Sequence, residues 1–564
     1  MMIDYRANPF YLDDEGIEWV ETTLASMSIE EKAGQLFCMN VEEFSDSGIE
    51  KMYRHIKPGG VAYRKSTIDT LVHITHTYNK YAEVPLLIAA NLERGGNTIE
   101  GGTQVASPLA IGATGNEKMA ERLGIVCAEE GKSVGINWAF GPLIDIDVNY
   151  RNPIVNTRTF GADPEMVEKL GSACVTAMQD RGMAACVKHF PGDGRDGRDQ
   201  HLHPTINDCS CEEWDRTYGK IYKSCIDAGV LSCMVGHIEL PAYSMAINPA
   251  LKRRDCLPAT LSKELLQGLL RKKLGFNGLI ITDASTMGGF SAVMARKDAV
   301  PYSIASGADM FLFVQNLEED FSFMLDGISS GVITQERLDE AVRRILAVKC
   351  ALGLHKHTCQ VSDATAKNIV GCKEHIQWAK ECADEAITLV KEEKGVLPLN
   401  PKEKGRILLF PVENKLMEEE SEVSAATAQL IAGLRKEGMQ VKVFDKNMSE
   451  NPDFQSERFF EDNFDCIFYV ANLPSGSNQT NIRIKWVTRR GIDCPHHLQT
   501  VPTVFISLEN PYHLEDVPRI KTFINTYASN PETIEVLIDK LMGRSTFRGK
   551  SPVNVFCDLE DTHF

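Results

Sequence analysis

Short apolar runs alternate with longer amphipathic segments over the first part of the chain, between residues 34 and 314. An apolar run of four to eight residues bounded by turn residues is typical of a buried strand, and a 3.6-residue period is typical of a helix. The segments between the runs, such as EKMAERLGIVCAEEGKSVG and LSKELLQGLLRKKLG, predict helices that end in glycine. The eight runs are QLFCMN (35–40), GGVAY (59–63), PLLIAAN (85–91), INWAFGP (136–142), AACVKHF (184–190), SCMVGHI (232–238), GLIITDA (278–284) and DMFLFV (309–314).

Eight strand–helix units predict an α/β fold of the TIM-barrel type, which typically needs ~250 residues and tolerates long loops. An open, doubly wound sheet is the structural alternative. The number of strands favours the barrel, because eight is the number at which such a barrel closes.

A second alternation of strands and helices follows a long amphipathic helix, TQERLDEAVRRILAVKCALGL (334–354), and the polar stretch HKHTCQVSDATAKN (355–368). We therefore predict a barrel domain over 1–355, a linker over 356–374 and an open α/β sandwich over 375–564. The sandwich has no glycine-rich phosphate loop after its first strand, so the usual signature of nucleotide binding is missing. Its predicted strands are GRILLFPV (405–412), QVKVF (440–444), FDCIFYVAN (464–472), PTVFISLEN (502–510) and KTFINTYA (521–528).

Composition and charge narrow the range of partners. The 564 residues are 43% hydrophobic and 24% charged, which is ordinary for a globular protein, and the net charge is −18. Because this charge repels phosphate backbones and anionic lipids, we expect neither a nucleic acid nor a membrane as partner. The first residues show no basic stretch followed by an apolar core, and the 16 cysteines lack a disulfide framework, so we expect a cytoplasmic protein with reduced thiols. Oligomeric state does not follow from the sequence.

Polar or titratable residues stand where four of the apolar runs end: Asn91, His189, His237 and Asp283. Each one alone is adequately explained as a loop residue that hydrogen-bonds to the backbone. Barrel enzymes, however, carry their chemistry at the C-terminal ends of the strands. Four such residues at equivalent positions therefore predict a shared site at that rim.

The loop KHFPGDGRDGRDQH (188–201) concentrates charged and titratable residues, and three hypotheses compete for it. A zinc site is suggested by the His and Cys residues of HLHPTINDCSC (201–211), but no C-x-x-C pair is present, and Ser210 with Glu213 indicates a helix cap instead. We therefore expect no metal and no cofactor. A merely solvated loop does not explain why a buried strand should end in Lys188 and His189.

The catalytic hypothesis explains more of this loop. Lys188 and His189 can donate hydrogen bonds to neutral hydroxyls, which suits a sugar. Asp199 can orient His201 as a proton-transfer group, since a carboxylate fixes the tautomer of a neighbouring imidazole. Asp283 then stands as an anionic nucleophile, and two such groups facing one centre match a retaining glycosidase.

Several long segments also resemble a known family. They are MSIEEKAGQLF (27–37), GPLIDIDVNYRNPIVNTRTFGADP (141–164), KHFPGDGRDGRDQH (188–201), VGHIELPAY (235–243), GLIITDASTMGG (278–289) and AITLVKEEKGVLPL (386–399). Over essentially its whole length the chain resembles glycoside hydrolase family 3, in its β-N-acetylglucosaminidase branch. The resemblance implies a TIM barrel followed by an α/β sandwich, and hydrolysis with retention of configuration.

The resemblance also implies roles for single residues. Asp283 matches the nucleophile, and Asp199 with His201 matches an Asp-x-His acid/base dyad on a mobile loop. Lys188, His189 and Arg158 match positions that hold sugar hydroxyls, and we predict the same role for Asn91 and His237. The sequence departs from the family pattern twice, because Asn91 replaces a usual aspartate and Asp193 replaces a frequent histidine. The hydroxyl pattern that is recognised can therefore differ, since an ionised aspartate only accepts hydrogen bonds.

These observations favour an exo-acting enzyme that releases β-N-acetylglucosamine, or a related sugar, from a carbohydrate substrate by double displacement. Two rivals are enzymes: a phosphorylase that uses phosphate in place of water, and a β-glycosidase with a different sugar preference. A third rival is a sugar-binding protein without activity. This last one is disfavoured because Asp283, Asp199 and His201 are all present.

Overall fold

The computed structural model describes residues 3–41, 45–356, 361–480 and 483–564. The chain forms two compact units. The first consists of Met1–Thr103, Ala120–Asn149 and Pro164–His375, and the second of Gln104–Met119, Tyr150–Asp163 and Ile376–Phe564. The predicted domain boundaries at 355 and 375 stay predictions, and 104–119 and 150–163, which the sequence analysis assigns to the first domain, belong to the second unit. Residues 357–360 of the predicted linker lie outside the described residues.

The strands of the first unit form an eight-stranded parallel sheet and a small two-stranded sheet. The eight-stranded sheet has the order β10-β1-β2-β3-β4-β5-β7-β9, and β6 pairs with β8 in the small one. In chain order the strands are β1 (Phe37–Asn40), β2 (Gly60–Ala62), β3 (Leu87–Ala90), β4 (Trp138–Ala139), β5 (Ala184–Phe190), β6 (Thr205–Ile206), β7 (Ser232–Val235), β8 (Ile238–Glu239), β9 (Leu279–Thr282) and β10 (Phe311–Leu312).

The two edge strands of this sheet, β9 and β10, meet and close it. A parallel bridge joins Ile281 to Met310, and Asp309, just before β10, accepts a hydrogen bond from the Ile280 N–H at 2.9 Å. Arg271 and Arg337 pair with the same buried carboxylate. Because the two guanidinium groups compensate the buried charge of Asp309, the strand ends can be joined here without an unpaired ion.

Each of the eight predicted runs contains one strand of this sheet, so the predicted TIM barrel is confirmed and the open doubly wound sheet is wrong. The reason is the pairing of the two edge strands: the bridge between Ile281 and Met310 removes both edges that an open sheet would expose.

Helices follow the strands as their periodicity predicts. In α14, Thr334 caps the first turn by accepting a hydrogen bond from the Arg337 N–H, and Leu338, Val342 and Ile345 form one buried face. The helices up to residue 351 are α1 (Asp14–Ser26), α2 (Ile29–Gln35), α3 (Asp46–Ile56), α4 (Ile68–Tyr81), α5 (Pro108–Thr114), α6 (Glu117–Ser133), α7 (Pro164–Asp180), α8 (Cys211–Arg216), α9 (Tyr218–Asp227), α10 (Pro241–Ile247), α11 (Gly288–Ser291), α12 (Arg296–Ser306), α13 (Leu317–Ser329) and α14 (Gln335–Ala351).

The chain also contains less regular helices. The segment predicted as a helix from LSKELLQGLLRKKLG forms a π-helix over Glu264–Lys273. Short 3₁₀ turns occupy Asn156–Arg158, Arg253–Asp255, Ala259–Leu261, Glu420–Glu422, Pro452–Gln455, Arg489–Gly491, His513–Glu515 and Glu560–His563. Among the described residues, no helix combines the length and the apolar character that crossing a bilayer requires.

The second unit is built on a six-stranded sheet, as the predicted sandwich requires. The order is β11-β16-β15-β14-β12-β13, with five parallel strands and an antiparallel edge strand, β11, that the periodicity did not predict. The strands of this sheet are β11 (Thr388–Lys391), β12 (Arg406–Val412), β13 (Gln440–Val443), β14 (Cys466–Ala471), β15 (Thr503–Ser507) and β16 (Thr522–Asn525). The remaining helices of the chain are α15 (Asp363–Ile369), which belongs to the first unit, α16 (Lys373–Ala386), α17 (Ala425–Lys436), α18 (Lys446–Glu450), α19 (Glu457–Asn463) and α20 (Pro531–Leu541).

The strand order of this sheet reverses between β12 and β14, which is where open α/β sheets commonly bind anions at a helix N-terminus. Here a carboxylate of the chain itself occupies the start of α17. Glu413 accepts hydrogen bonds from the Ser424 N–H at 2.9 Å, the Ser424 hydroxyl at 2.7 Å and the Thr427 hydroxyl at 2.7 Å. The negative charge that a phosphate would supply to the helix dipole is therefore already present.

A histidine is enclosed among aromatic rings in the same unit. His497 is fully buried, and its ring stacks on Phe460 at a centroid distance of 4.8 Å, with Phe410 and Tyr469 each at 6.0 Å. Among the described residues, neither ring nitrogen has a hydrogen-bond partner. Burial, together with repulsion from His496, lowers the pKa of His497 to about 3, so the ring is neutral.

We expect His497→Phe to stabilise the second unit and to make it less sensitive to acid. A histidine in the unfolded chain binds a proton below a pKa of about 6.5, whereas the folded ring stays neutral down to about pH 3. Between those two pH values the unfolded state therefore gains a proton that the folded state does not, and the free energy of unfolding falls by about 1.4 kcal/mol per pH unit. The free energy of unfolding, measured with urea, should fall between pH 7 and pH 5 by about 2 kcal/mol less in the variant than in the parent. The exposed His563 of the same unit gives a control, His563→Phe, which should lose as much stability as the parent. An equal loss of stability on acidification in the parent and in His497→Phe would contradict the assignment.

Candidate active site

The parallel strands of the barrel place the predicted polar residues at one rim. Asn91 directly follows β3, Lys188 and His189 lie near the end of β5, and Asp283 directly follows β9. His237 lies between β7 and β8. Since carboxyl ends of parallel strands meet at the same end of a barrel, the structure brings these residues together.

Asp283 carries a carboxylate that is buried but not fully bonded. Its Oδ1 accepts a hydrogen bond from the Ala284 N–H at 2.7 Å. Its Oδ2 is buried and has no hydrogen-bond partner among the described residues, and His189 Nε2 lies 3.9 Å from it. An anionic oxygen with no hydrogen bond to weaken it is suited to nucleophilic attack.

Burial and neighbouring charge act on Asp283 in opposite directions. Burial raises the pKa of this carboxyl group, because desolvation disfavours the charged form. The charges of His189 and His201, together with the hydrogen bond from the Ala284 N–H, oppose that effect, and the pKa of Asp283 is lowered below its ordinary value. Asp283 is therefore ionised over the whole neutral range.

A second buried carboxylate, Asp145, holds His189 in place. Its Oδ2 accepts a hydrogen bond from His189 Nδ1 at 2.8 Å, and its Oδ1 accepts from the His189 N–H at 3.0 Å and from the Asp193 N–H at 2.7 Å. Because Nδ1 donates to Asp145, the Nε2 edge of the ring faces Asp283. The His189 ring thus lies between the carboxylates of Asp145 and Asp283.

Lys188 lies between an amide and a carboxylate. Its Nζ is 2.7 Å from Glu93 Oε1 and donates to Asn91 Oδ1 at 3.3 Å. The ammonium group is buried, so the charge of Glu93 compensates it. Lys188 and Asn91 thus present donor groups of fixed geometry at the rim, and their predicted binding of sugar hydroxyls stays a prediction.

His237 has protein partners on both sides of its ring. Nε2 lies 3.0 Å from the Ala284 carbonyl, which only accepts, so Nε2 donates and Nδ1 accepts from the Thr260 hydroxyl at 3.0 Å. Burial lowers the pKa of His237, in agreement with this neutral tautomer. The ring holds the backbone that follows Asp283, and a direct contact of His237 with substrate stays a prediction.

Asp199 and His201 form the predicted pair. The Asp199 carboxylate is buried, and its Oδ1 accepts from His201 Nδ1 at 2.7 Å and from the His201 N–H at 2.8 Å. This leaves Nε2 as the nitrogen for proton transfer. The pair lies against the segment after Asp283, since the Gly288 N–H donates to the His201 carbonyl at 2.7 Å.

Three predictions concern residues outside this set. Arg158 belongs to the second compact unit, where its Nη1 donates to the Ile154 carbonyl at 3.2 Å, and its role toward a sugar stays a prediction. Ser210 caps α8 by accepting from the Glu213 N–H at 3.1 Å, as its spacing indicated. Among the described residues, no group of three or more His, Cys, Asp or Glu side chains is placed to hold a metal ion.

Sequence reasoning missed four residues that support the site: Asp145, Glu93, Thr260 and Gln200. Asp145 had a signal, because a carboxylate inside the apolar stretch FGPLIDIDV must find partners when it is buried. The others had none: Glu93 and Thr260 have partners 95 and 23 residues away in the chain, and Gln200 bonds to Asp193, seven residues away, and to His237, 37 residues away. The buried Asp193, noted as a departure from the family pattern, faces the interior of its own loop and accepts from the Gln200 amide at 3.2 Å.

Comparison with protein families gives one match over the barrel. Residues 28–348 match the model described as "Glycosyl hydrolase family 3 N terminal domain". The match covers more than half of the chain and includes every residue of the rim described above.

Three individual proteins are similar over nearly the whole chain. A protein of Cellulomonas fimi named beta-N-acetylglucosaminidase/beta-glucosidase is 46% identical over 564 residues, which is 100% of both chains. A structure of the beta-glucoside phosphorylase BglX bound to 2FGlc has a TM-score of 0.94 and 43% identity, over 99% of this chain and 100% of that one. A family 3 beta-N-acetylglucosaminidase from Paenibacillus sp. str. FPU-7 has a TM-score of 0.79 and 25% identity, over 95% of this chain and 100% of that one.

Proposed function

Because the chain belongs to glycosyl hydrolase family 3, we propose that it cleaves terminal β-linked N-acetylglucosamine or glucose from its substrate with retention of configuration. The observation that carries the proposal is the buried, ionised Asp283, whose Oδ2 has no hydrogen bond from any described residue, at the same rim as the Asp199–His201 pair. A nucleophile and a proton-transfer group around one centre are what double displacement needs.

In the first step Asp283 Oδ2 attacks the anomeric carbon and forms a glycosyl ester. The bond from that carbon to the leaving oxygen breaks, and His201 Nε2 gives its proton to the leaving oxygen. Before this transfer the Asp199 carboxylate stabilises the doubly protonated imidazole of His201, and after it the hydrogen bond to Asp199 keeps the proton on His201 Nδ1.

In the second step the acceptor replaces Asp283 on the sugar. Water gives a proton to His201 Nε2 and attacks the anomeric carbon, the ester bond breaks, and Asp283 regains its charge. His189, held by Asp145, keeps a positive field close to the returning carboxylate.

Two observations support the proposed sugar specificity: the names of the similar proteins and the amide of Asn91. The relatives carry names for both N-acetylglucosaminide and glucoside substrates, so the site is proposed to accept both. Asn91 fits this breadth, because an amide can donate as well as accept, and it does not add a second negative charge beside Glu93.

Phosphate is a second candidate acceptor, and the acid/base group favours it. A carboxylate in this role repels a phosphate anion, whereas the neutral imidazole that remains after the first step does not. HPO₄²⁻ then attacks the anomeric carbon, the ester bond breaks, and His201 takes the proton that the phosphate brought. The product is a sugar 1-phosphate, as the similarity to a phosphorylase also suggests.

We expect Asp283→Ala to abolish turnover, because the other carboxylates described at the rim, Asp145, Glu93 and Asp199, are each paired with a His or Lys side chain. Folding should stay intact, because the change removes a buried charge. Steady-state rates measure turnover, and the midpoint of thermal unfolding measures whether folding is intact. The exposed Asp298 on α12 gives a matched control, Asp298→Ala, with the parent rate. A 2-fluoro sugar should label Asp283 in the parent, and labelling of another residue or an inverted first product would refute the mechanism.

His201→Ala should slow cleavage of a natural disaccharide by about 10²–10⁴-fold, because a poor leaving group needs the proton. The first step on an activated aryl glycoside should stay near the parent rate. Asp199→Asn should show a milder form of this pattern. The exposed His203 on the same loop gives a control, His203→Ala, which should leave both substrates unaffected. Equal slowing of both substrates in the pre-steady state would assign His201 a positioning role without proton donation.

The acceptor is identified by the product. Incubation of an aryl glycoside with and without inorganic phosphate, followed by ³¹P NMR, should reveal a sugar 1-phosphate of retained configuration if phosphate is the acceptor. We expect the turnover rate to rise with phosphate concentration. Free sugar as the sole product at saturating phosphate would identify water as the acceptor and would remove the second candidate.

A further inference from the structure

The side chain of Gln200, which separates Asp199 from His201 in the sequence, is directed into the protein. Gln200 is fully buried, and both ends of its amide are hydrogen-bonded. Its Oε1 accepts from the His237 N–H at 2.8 Å, and its Nε2 donates to Asp193 Oδ2 at 3.2 Å. The amide therefore connects the acid/base pair to the His237 backbone of the barrel and to Asp193 at the start of the same loop.

Asp193 is itself fixed at several atoms. Its N–H donates to Asp145, its carbonyl accepts from the Tyr218 hydroxyl at 2.9 Å, and its Oδ1 accepts from the Gly194 N–H at 2.7 Å. Because Asp145 also holds His189, the loop and the strand end that faces the nucleophile share one anchor.

The turn formed by residues 199–201 is in close contact with the backbone of Gly289 on its other side. A Cβ atom at position 289 would lie only 2.3 Å from the Gln200 carbonyl oxygen, so only glycine fits there. With the hydrogen bond from the Gly288 N–H to His201, the turn is enclosed between the Gly288–Gly289 backbone and the Asp193–Gln200 contact.

We propose that Gln200 and Asp193 are positioning residues that hold the Asp199–His201 pair in its proton-transfer position in the absence of substrate. This inference rests on the proposed function, because it assigns His201 the role of acid/base. The resemblance implies a mobile loop, whereas here the pair is anchored through Asp193, the residue that replaces the family's frequent histidine. Anchoring removes the conformational freedom that a mobile loop must lose in each turnover.

The variant Gln200→Glu tests the anchor most directly. It keeps the shape of the side chain but sets a second carboxylate against Asp193, and like charges at hydrogen-bond distance repel. We expect the pre-steady-state rate on a poor leaving group to fall by about 10²-fold, the cost of misplacing a catalytic group by about 1 Å. The rate on an activated aryl glycoside should stay near that of the parent.

A reciprocal double variant provides the rescue. In Gln200→Glu with Asp193→Asn, the asparagine donates to the glutamate, so the contact returns with donor and acceptor exchanged. We expect the leaving-group dependence of the parent to return as well. Gln200→Met, which lacks hydrogen-bonding groups but adds no charge, should show the defect without rescue by Asp193→Asn.

The control is Gln179→Glu, whose side chain also bridges backbone groups, with Gly229 and Leu231 as partners. It should change stability without changing the leaving-group dependence. Hydrogen exchange of the amides of residues 199–202 gives a readout that needs no turnover, and exchange should be faster in Gln200→Met but not in Gln179→Glu.

Equal slowing of good and poor leaving groups, or rates like those of the parent, would overturn the positioning role. Loss of folding in both Gln200 variants would also overturn it, since Gln200 would then be required for the fold. A parent that cleaves no β-glycoside would contradict the proposed function itself. An active parent with an unchanged leaving-group dependence in the variants would contradict the positioning role alone.

Discussion

The carboxylate of Asp145 is the interaction on which the rest of the barrel rim depends. It is fully buried just beyond β4, and it accepts hydrogen bonds from the His189 ring, the His189 backbone and the Asp193 backbone. One charged group thereby fixes both the end of β5 and the start of the loop that carries Asp199 and His201. A buried carboxylate is tolerated only when its oxygens are satisfied, so the burial that makes Asp145 costly also enforces its three contacts.

The charge of Asp283 follows from what surrounds it. A carboxylate at the end of a buried strand would lose its charge to desolvation if it stood alone. His189 at the end of β5 and His201 farther along the same loop act on it through their charge, and with the hydrogen bond from the Ala284 N–H they keep the pKa of Asp283 low, while Oδ2 has no hydrogen bond within the described part of the chain. The barrel can bring these groups together because parallel strands direct all their carboxyl ends to one rim.

The second unit shows that topology does not determine function. Its strand order reverses at the position where related sheets bind anionic ligands, yet Glu413 occupies the N-terminus of α17. A carboxylate supplied by the chain satisfies the helix dipole and excludes a second anion by repulsion. Two observations therefore agree: the sequence after β12 has no glycine-rich loop, and Glu413 occupies the start of α17. Both indicate that protein atoms, and not a bound anion, satisfy the start of this helix.

The sequence by itself determined the architecture, because the periods of apolar residues report strand and helix directly: all eight barrel strands and five strands of the second sheet lie within predicted runs. The edge strand β11 escaped prediction since only one of its four residues is buried. Local spacing also sufficed for the Asp199–His201 pair, whose members are two residues apart. Only the tertiary structure decided what holds the pair, because Gln200 bonds to Asp193 and to the backbone of His237. It also decided the partner of Lys188, which is Glu93, 95 residues away in the chain. Contacts between distant segments leave no period in the chain, because the closure of the barrel, and not the local sequence, sets which side chains meet.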